Sequence, residues 1–261
     1  MKLLEAEIKT MLLNYLRAKD VLIESSTIIN EFTIDWYSRR VDIALFQQNM
    51  SIAFEIKSEA DSLVRLEGQT KKYLEYFDKV IVVAAEKHIS SIQSMVPAHV
   101  AIWQVSDAIV KVVQRGRKKQ IKSAKKLMDL MTVDDLNRIC NQPVKGAEGR
   151  KRHALECALE NFHVNRLRSG LFEGISKRYK RPNKQFFFAT KNRAIQLDDL
   201  DLLSNYKSLR HSHKSKELKK VELEKKLKNA CSDTSLLEAR NDSSTPMFGE
   251  VPHEIKEMLY A

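Results

Sequence analysis

The sequence predicts an α/β protein, a mixed sheet flanked by helices and followed by a basic, mostly helical C-terminal module. Three observations predict it. β-branched runs alternate with amphipathic segments up to about residue 110, such runs stop beyond it, and the positive charge is concentrated after the same point. The chain has 261 residues, 43% of them apolar, with 7 Gly and 5 Pro, which excludes collagen-like and low-complexity disordered classes.

The elements follow in order. Leu4, Ile8, Met11, Leu12 and Tyr15 recur at three- and four-residue spacing, one face of an opening helix. TIINEFTI, residues 27–34, reads as a strand, DWYSRR as a turn, and VDIALF as the returning strand. SIAFEIK, residues 51–57, is apolar until Glu55 and Lys57, the pattern of a strand buried on both faces. After Asp61, a candidate N-cap, Leu63, Leu66, Tyr73 and Phe77 predict a helix. KVIVVAA is a strand, 88–95 a short helix ended before Pro97, and VAIWQV a further strand. Helical connections predict that these later strands run parallel.

Beyond residue 110 the expected elements are a basic connector, a helix broken near Thr132 within KLMDLMTVDDLNRIC, and an amphipathic helix carrying Leu155, Leu159 and Phe162. RYKRPNKQFFFAT is expected to form a short hairpin or extended packing segment. Residues 206–229 read as an exposed charged helix and 231–252 as a loose tail. Three regions result: a sheet domain over 1–110, a basic helical module over 111–185, and a charged helix with tail over 186–261.

Charge distinguishes them. Residues 1–110 carry 12 basic and 15 acidic side chains, whereas 111–185 carry 20 and 7. An excess of 13 positive charges in 75 residues fits a polyanionic partner. Arg117, Lys118, Lys119 and Lys122, then Arg150, Lys151 and Arg152, then Arg178, Lys180 and Arg181 are the candidate phosphate contacts, joined by Arg39 and Arg40. Cys140, Cys157 and Cys231 are odd in number and unpaired in spacing, so free thiols in a reducing cytoplasm are expected. No run approaches the length of a membrane span, and a partner membrane is not expected.

The chemistry-bearing constellation is Asp42, Glu55 and Lys57. Asp42 begins one strand of the predicted hairpin, and Glu55 and Lys57, two apart on the next, share a face. Burying two carboxylates and an amine in an apolar strand is costly unless a cation or hydrogen-bonded network compensates. Mg²⁺, or Mn²⁺, suits two carboxylates and fills its remaining positions with water and phosphate. A purely structural ion-pair cluster is the competing account. Zinc is not expected, because His88, His153 and His163 lack ligand spacing with the cysteines, and no phosphate-binding loop is present.

RVDIALF with Asp42, followed by FEIKSEADSL with Glu55 and Lys57, resembles the PD-(D/E)XK nuclease superfamily of restriction-endonuclease-like fold. INE, FEIKSEADSLVRLEGQTKKY and VIVVAAEKH are more specifically similar to a family within it found in bacteria and their phages, over roughly residues 3–105. Val41 stands where the signature's name has proline. The resemblance implies that Asp42, Glu55 and the Ile56 carbonyl hold a divalent metal and that Lys57 acts on the attacking water. It further implies an acidic residue on the first helix near the metal, with Glu7 the first candidate and Glu5 the second, and another at Glu31. Gln69 and Tyr73 match a QxxxY pattern that supports such sites. The expected activity is Mg²⁺-dependent hydrolysis of phosphodiester bonds, in DNA first, and the resemblance brings with it the homodimer in which many such folds cut duplexes. The alternatives are a nucleic-acid- or partner-binding module with little turnover, and an RNA-directed nuclease.

Overall fold

The computed structural model describes residues 3–204 apart from 48, 107–108 and 141–151. Met1–Leu209 form one compact unit. The second unit, Arg210–Ala261, lies outside the described residues, as do Arg150, Lys151 and the helix and tail expected after 206.

Six strands lie side by side in chain order: β1 (Thr27–Ile34), β2 (Arg39–Gln47), β3 (Met50–Lys57), β4 (Lys79–Ala85), β5 (Ala101–Ser106) and β6 (Ile109–Gln114). The first three form an antiparallel meander, β3, β4 and β5 run parallel, and β6 returns antiparallel. The parallel pairs are joined through α2 (Leu66–Tyr73) and α3 (Ile89–Met95), which supply the length such crossovers need. The mixed sheet flanked by helices thus agrees with the expected α/β class.

Both sheet faces are buried, which explains the near-continuous apolar runs. Along β4, Val80, Val82 and Ala84 enter one apolar cluster while Ile81 and Val83 enter the other. The second cluster is closed by α1 (Glu5–Ala18) through Ile8, Leu12, Leu13 and Leu16. The first is closed by α4 (Ala124–Asp129), α5 (Val133–Cys140), α6 (Arg152–Leu159) and α7 (Val164–Ala189). The break between α4 and α5 falls at Thr132, where Thr132 and Asp135 cap each other: the Thr132 N–H donates to Asp135 Oδ2, and the Asp135 N–H donates to Thr132 Oγ1.

Four expectations are corrected. The strand pattern does not end at 110, because IVKVVQ, apolar and β-branched at four of its six positions, forms the edge strand β6, none of whose residues is buried. The boundary placed at 110 does not separate two cores, since Leu127, Leu136, Leu167 and Leu171 share a cluster with Phe32 and Val80. Asp61 caps the loop before α2 rather than the helix, accepting from the Ser58 N–H and hydroxyl.

The fourth correction is the largest. RYKRPNKQFFFA is neither hairpin nor extended but the second half of the 26-residue α7, with Pro182 inside it. Proline removes one helical N–H, and burial of the next turn holds the helix across that gap. Phe186 is fully buried against Ile195, Leu200 and Leu203, while Phe188 is 84% exposed, so the triple phenylalanine is split by helical periodicity. Asn183 covers the open edge of β1: its Oδ1 accepts from the Ile28 N–H at 2.8 Å and its Nδ2 donates to the Ile28 carbonyl at 3.0 Å.

Candidate active site

Asp42 lies on β2 opposite the part of β3 that carries Glu55, one step past the Ile43↔Phe54 pair. Its Oδ2 accepts the Ile56 N–H at 2.6 Å. A strand residue projects its N–H and C=O to the same side, so the Ile56 carbonyl also faces the strand bearing Asp42. Lys57 Nζ donates to Glu55 Oε1 at 2.7 Å and to Gln69 Oε1 at 3.1 Å. The Tyr73 hydroxyl, fully buried on α2, lies 2.8 Å from both Glu55 Oε2 and the Arg40 carbonyl. Four residues apart, Gln69 and Tyr73 therefore reach one site from a single helix face. The expected core set of Asp42, Glu55, Lys57, Gln69 and Tyr73 is brought together.

Glu31 joins it through an unusual backbone. It falls opposite Asp42 in the register of β1 and β2, but adopts φ +63°, a left-handed conformation disfavoured for a residue with a Cβ. Carboxylate oxygens of Glu5, Glu31 and Asp42 lie within 4.8 Å of one another. Glu7 does not join them. Its Oε2 accepts the Leu4 N–H at 2.7 Å and caps the start of α1, so the helix acid of the cluster is Glu5.

Lys9 escaped the sequence reading. Its ammonium contacts Glu5 Oε1 at 2.6 Å, Glu31 Oε1 at 2.5 Å and Asn30 Oδ1 at 3.1 Å. The signal was present: Lys9, Leu12, Leu13 and Leu16 share the buried stripe of α1, where a lysine needs a counterion. Arg40 Nε pairs with the other Glu31 oxygen while its side chain stays 67% exposed.

Four carboxylates thus face three cations, Lys9, Arg40 and Lys57, and the electrostatics reflect the imbalance. Burial and then the neighbouring Glu55 charge push the Asp42 pKa up to about 8, against the pull of Lys9 and the Ile56 N–H. Burial likewise raises Glu55, despite Lys57 and Tyr73. Burial alone would lower Lys9, but Asp42 and Glu31 together raise it. Surplus negative charge and hard oxygen donors are what a small dication requires, so the residues present fit Mg²⁺ or Mn²⁺.

The same imbalance gives a stability prediction. A carboxyl whose folded pKa is raised contributes stability that is complete below about pH 4 and lost as pH rises through about 8. Asp42→Asn removes that loss and retains an acceptor for Ile56. In EDTA at pH 8.5 the variant is expected to be more stable than wild type by roughly 1–2 kcal/mol, about 2–6 °C in Tm, after discounting for its partial exposure. The gap should close at pH 5. Thermal melts at the two pH values check it, and equal melting at both removes the case for a strained carboxylate.

The basic residues divide. Arg39, Arg117, Lys118, Lys119 and Lys122 are exposed, as are Lys180 and Arg181 on α7. Arg152 and Arg178 are half-buried and turned onto the protein itself. Arg152 donates to the Met128 and Met131 carbonyls and to Glu156, while Arg178 holds Asp135 and the Leu130 carbonyl. Among the described residues no helix is long and apolar enough to cross a membrane.

Fold and site together define an α/β protein with a carboxylate and lysine cluster on a β-hairpin of a mixed sheet. The chain belongs to the bacteriophage P4 protein cII family, whose family model matches residues 1–204. Protein cII of Enterobacteria phage P4 is 31% identical over 264 residues, covering 98% of this chain and 96% of that protein. SPO1766, a protein of unknown function from Silicibacter pomeroyi, aligns at a TM-score of 0.38 with 16% identity, over 50% of this chain and 84% of that one.

Proposed function

We propose that the protein is a Mg²⁺- or Mn²⁺-dependent nuclease of PD-(D/E)XK type and restriction-endonuclease-like fold, hydrolysing phosphodiester bonds in DNA. The observation carrying this reading is the meeting of Asp42, Glu55 and Lys57 on the β2–β3 hairpin, braced by Gln69 and Tyr73. Asp42, Glu55 and the Ile56 carbonyl would hold the metal, with Glu5 and Glu31 beside them. A bound dication would supply charge stabilisation at phosphorus and a more acidic water. The rest belongs to the chain. Glu55 and Gln69 fix the Lys57 ammonium, which orients the attacking water, and Tyr73 anchors Glu55 to the hairpin through the Arg40 carbonyl. Exposed Lys118, Lys119, Lys180 and Arg181 supply sequence-independent phosphate contacts. Membership of a phage protein family suits a role in phage or mobile-element DNA.

A second reading has one observation in its favour: Lys9 places an ammonium among Glu5 and Glu31, where a cation would otherwise sit. On that reading the protein binds nucleic acid with little turnover. Incubating the full chain with duplex DNA, single-stranded DNA and RNA, in Mg²⁺, Mn²⁺ or EDTA, decides between them. Metal-dependent cleavage of DNA is expected, and preferential cleavage of RNA would move the substrate but keep the site. Should no polymer be cut, and Tm rise with DNA but not with millimolar metal, the binding reading stands.

A further inference from the structure

Beyond the cluster, the β1–β2 turn has a construction that phosphodiester chemistry does not use. Asp35, Trp36 and Tyr37 are consecutive left-handed residues, with φ of 51°, 54° and 69°, and none is glycine. Left-handed backbone is disfavoured for side chains of this size, so three in a row persist only where surrounding contacts impose them. Such contacts hold the first of the three. Asp35 accepts from the Ser38 hydroxyl at 2.7 Å and the Tyr76 hydroxyl at 2.9 Å, and pairs with Lys72. The turn then displays two side chains that a folded protein ordinarily hides: Trp36 is 66% and Tyr37 76% exposed.

Trp36 is held from one side. The Arg152 guanidinium sits 4.8 Å from the indole ring, itself locked by the Met128 and Met131 carbonyls and Glu156. The guanidinium thus backs the ring while two-thirds of the residue remains open to solvent. Exposed Arg39 and Arg40 follow at the start of β2. Arg40 also pairs with Glu31, so the turn and the acidic cluster are joined by one residue.

We infer that the Trp36–Tyr37 turn is a docking element for unpaired nucleotides, with bases stacking on the two rings and Arg39 and Arg40 meeting the adjoining phosphates. Aromatic rings accept any base face, whereas bases within a duplex already have both faces covered, so the element selects single-stranded segments. From Tyr37 to Asp42 the chain spans at most roughly 17 Å, about five stacked nucleotides along one strand. Bases held at the turn would place a phosphate of the same strand at the cluster. The placement rests on the nuclease reading, but binding at the turn does not, and the two fail separately.

The test is fluorescence anisotropy with a labelled single-stranded oligonucleotide in EDTA, where cleavage cannot contribute, using the full chain. Trp36→Ala and Tyr37→Ala are each expected to weaken binding about tenfold at unchanged Tm, with Trp36→Phe retaining most of the affinity. Duplex affinity should fall less than threefold, since phosphate contacts dominate there. In a Trp103→Phe background, Trp36 fluorescence should quench on adding the unlabelled oligonucleotide. Unchanged affinity in both alanine variants overturns the inference, as does absence of binding by the wild type at about 100 μM, the weak end of non-specific association. Sedimentation supplies the remaining outcome: self-association lost in Trp36→Ala with nucleic-acid affinity intact assigns the surface to a second copy of this chain and equally overturns it. Dependence of binding on Trp36 with no cleavage in any metal keeps the docking element and removes the nuclease.

Discussion

On the nuclease reading proposed above, replacing Lys57 with Ala or Met is expected to lower metal-dependent DNA cleavage by about 10²–10⁴-fold, the usual range for removal of a group that manages a proton at the reacting centre. The fold should survive this. Glu55 loses its partner at Oε1 but keeps the Tyr73 hydroxyl, and its already raised pKa lets it take up a proton instead of standing as an unpaired buried charge. Met retains most of the lysine stem and fills the space beside Gln69, so a loss of rate in Lys57→Met cannot be laid to a cavity. Stabilisation of the variant by Mn²⁺ should persist, because Asp42, Glu5 and Glu31 are untouched and a bound dication would displace the proton from Glu55. Single-turnover cleavage at saturating metal measures the effect. Wild-type rates in both variants would sink the assignment of Lys57 and leave Lys9 as the next amine to examine.

How much of this was legible depended on whether local pattern or tertiary contact decided the matter. The β2–β3 hairpin could be read because two apolar runs are interrupted by charges at Asp42, Glu55 and Lys57, and strand alternation fixes which of them share a face. Gln69 and Tyr73 could be placed because helical spacing brings residues four apart together. The choice of Glu5 over Glu7 could not, since it depends on the rotation of α1 against the sheet, set by Ile8 and Leu12. Glu31 was legible only through the resemblance, since the positive φ with which it joins the cluster is not something a residue with a side chain advertises. Strand β6 and the length of α7 were missed for different reasons. The first carries its β-branched residues in plain view at Ile109, Val110, Val112 and Val113 but runs straight into the basic segment, and the second overrides a proline with packing of Asn183 and Phe186. Charge runs were the least informative. They gave no way to tell Lys180, left in solvent, from Arg178, folded onto Asp135.

The second large effect concerns how the helical segment is fastened to the sheet. Arg168 of α7 donates from Nη1 and Nη2 to the two Asp78 oxygens, at 2.9 and 2.7 Å, and both side chains are essentially removed from solvent. Asp78, just before β4, also accepts from the Ser51 N–H and from the Ile121 N–H, so one carboxylate joins β3, the connector into α4, and α7. Asp78→Ala would leave the guanidinium buried without a counterion and orphan two backbone donors, with an expected loss of about 3–5 kcal/mol. Arg168→Met should cost less, because the thioether chain fills similar space and Asp78 keeps its backbone donors. The double variant is expected to be more stable than the sum of the two single losses, since neither charge is then stranded. Urea unfolding in a Trp36→Phe background, followed by both far-UV dichroism and the fluorescence of the remaining Trp103, measures these values. Trp103 lies on β5, whereas most of the helix among the described residues is in α4 to α7, so the two probes should report one coincident transition in every variant. Separate transitions, with the helices melting first and the sheet unaffected by Asp78→Ala, would show that the cluster shared by Phe32, Val80, Leu136 and Leu171 does not couple the two parts.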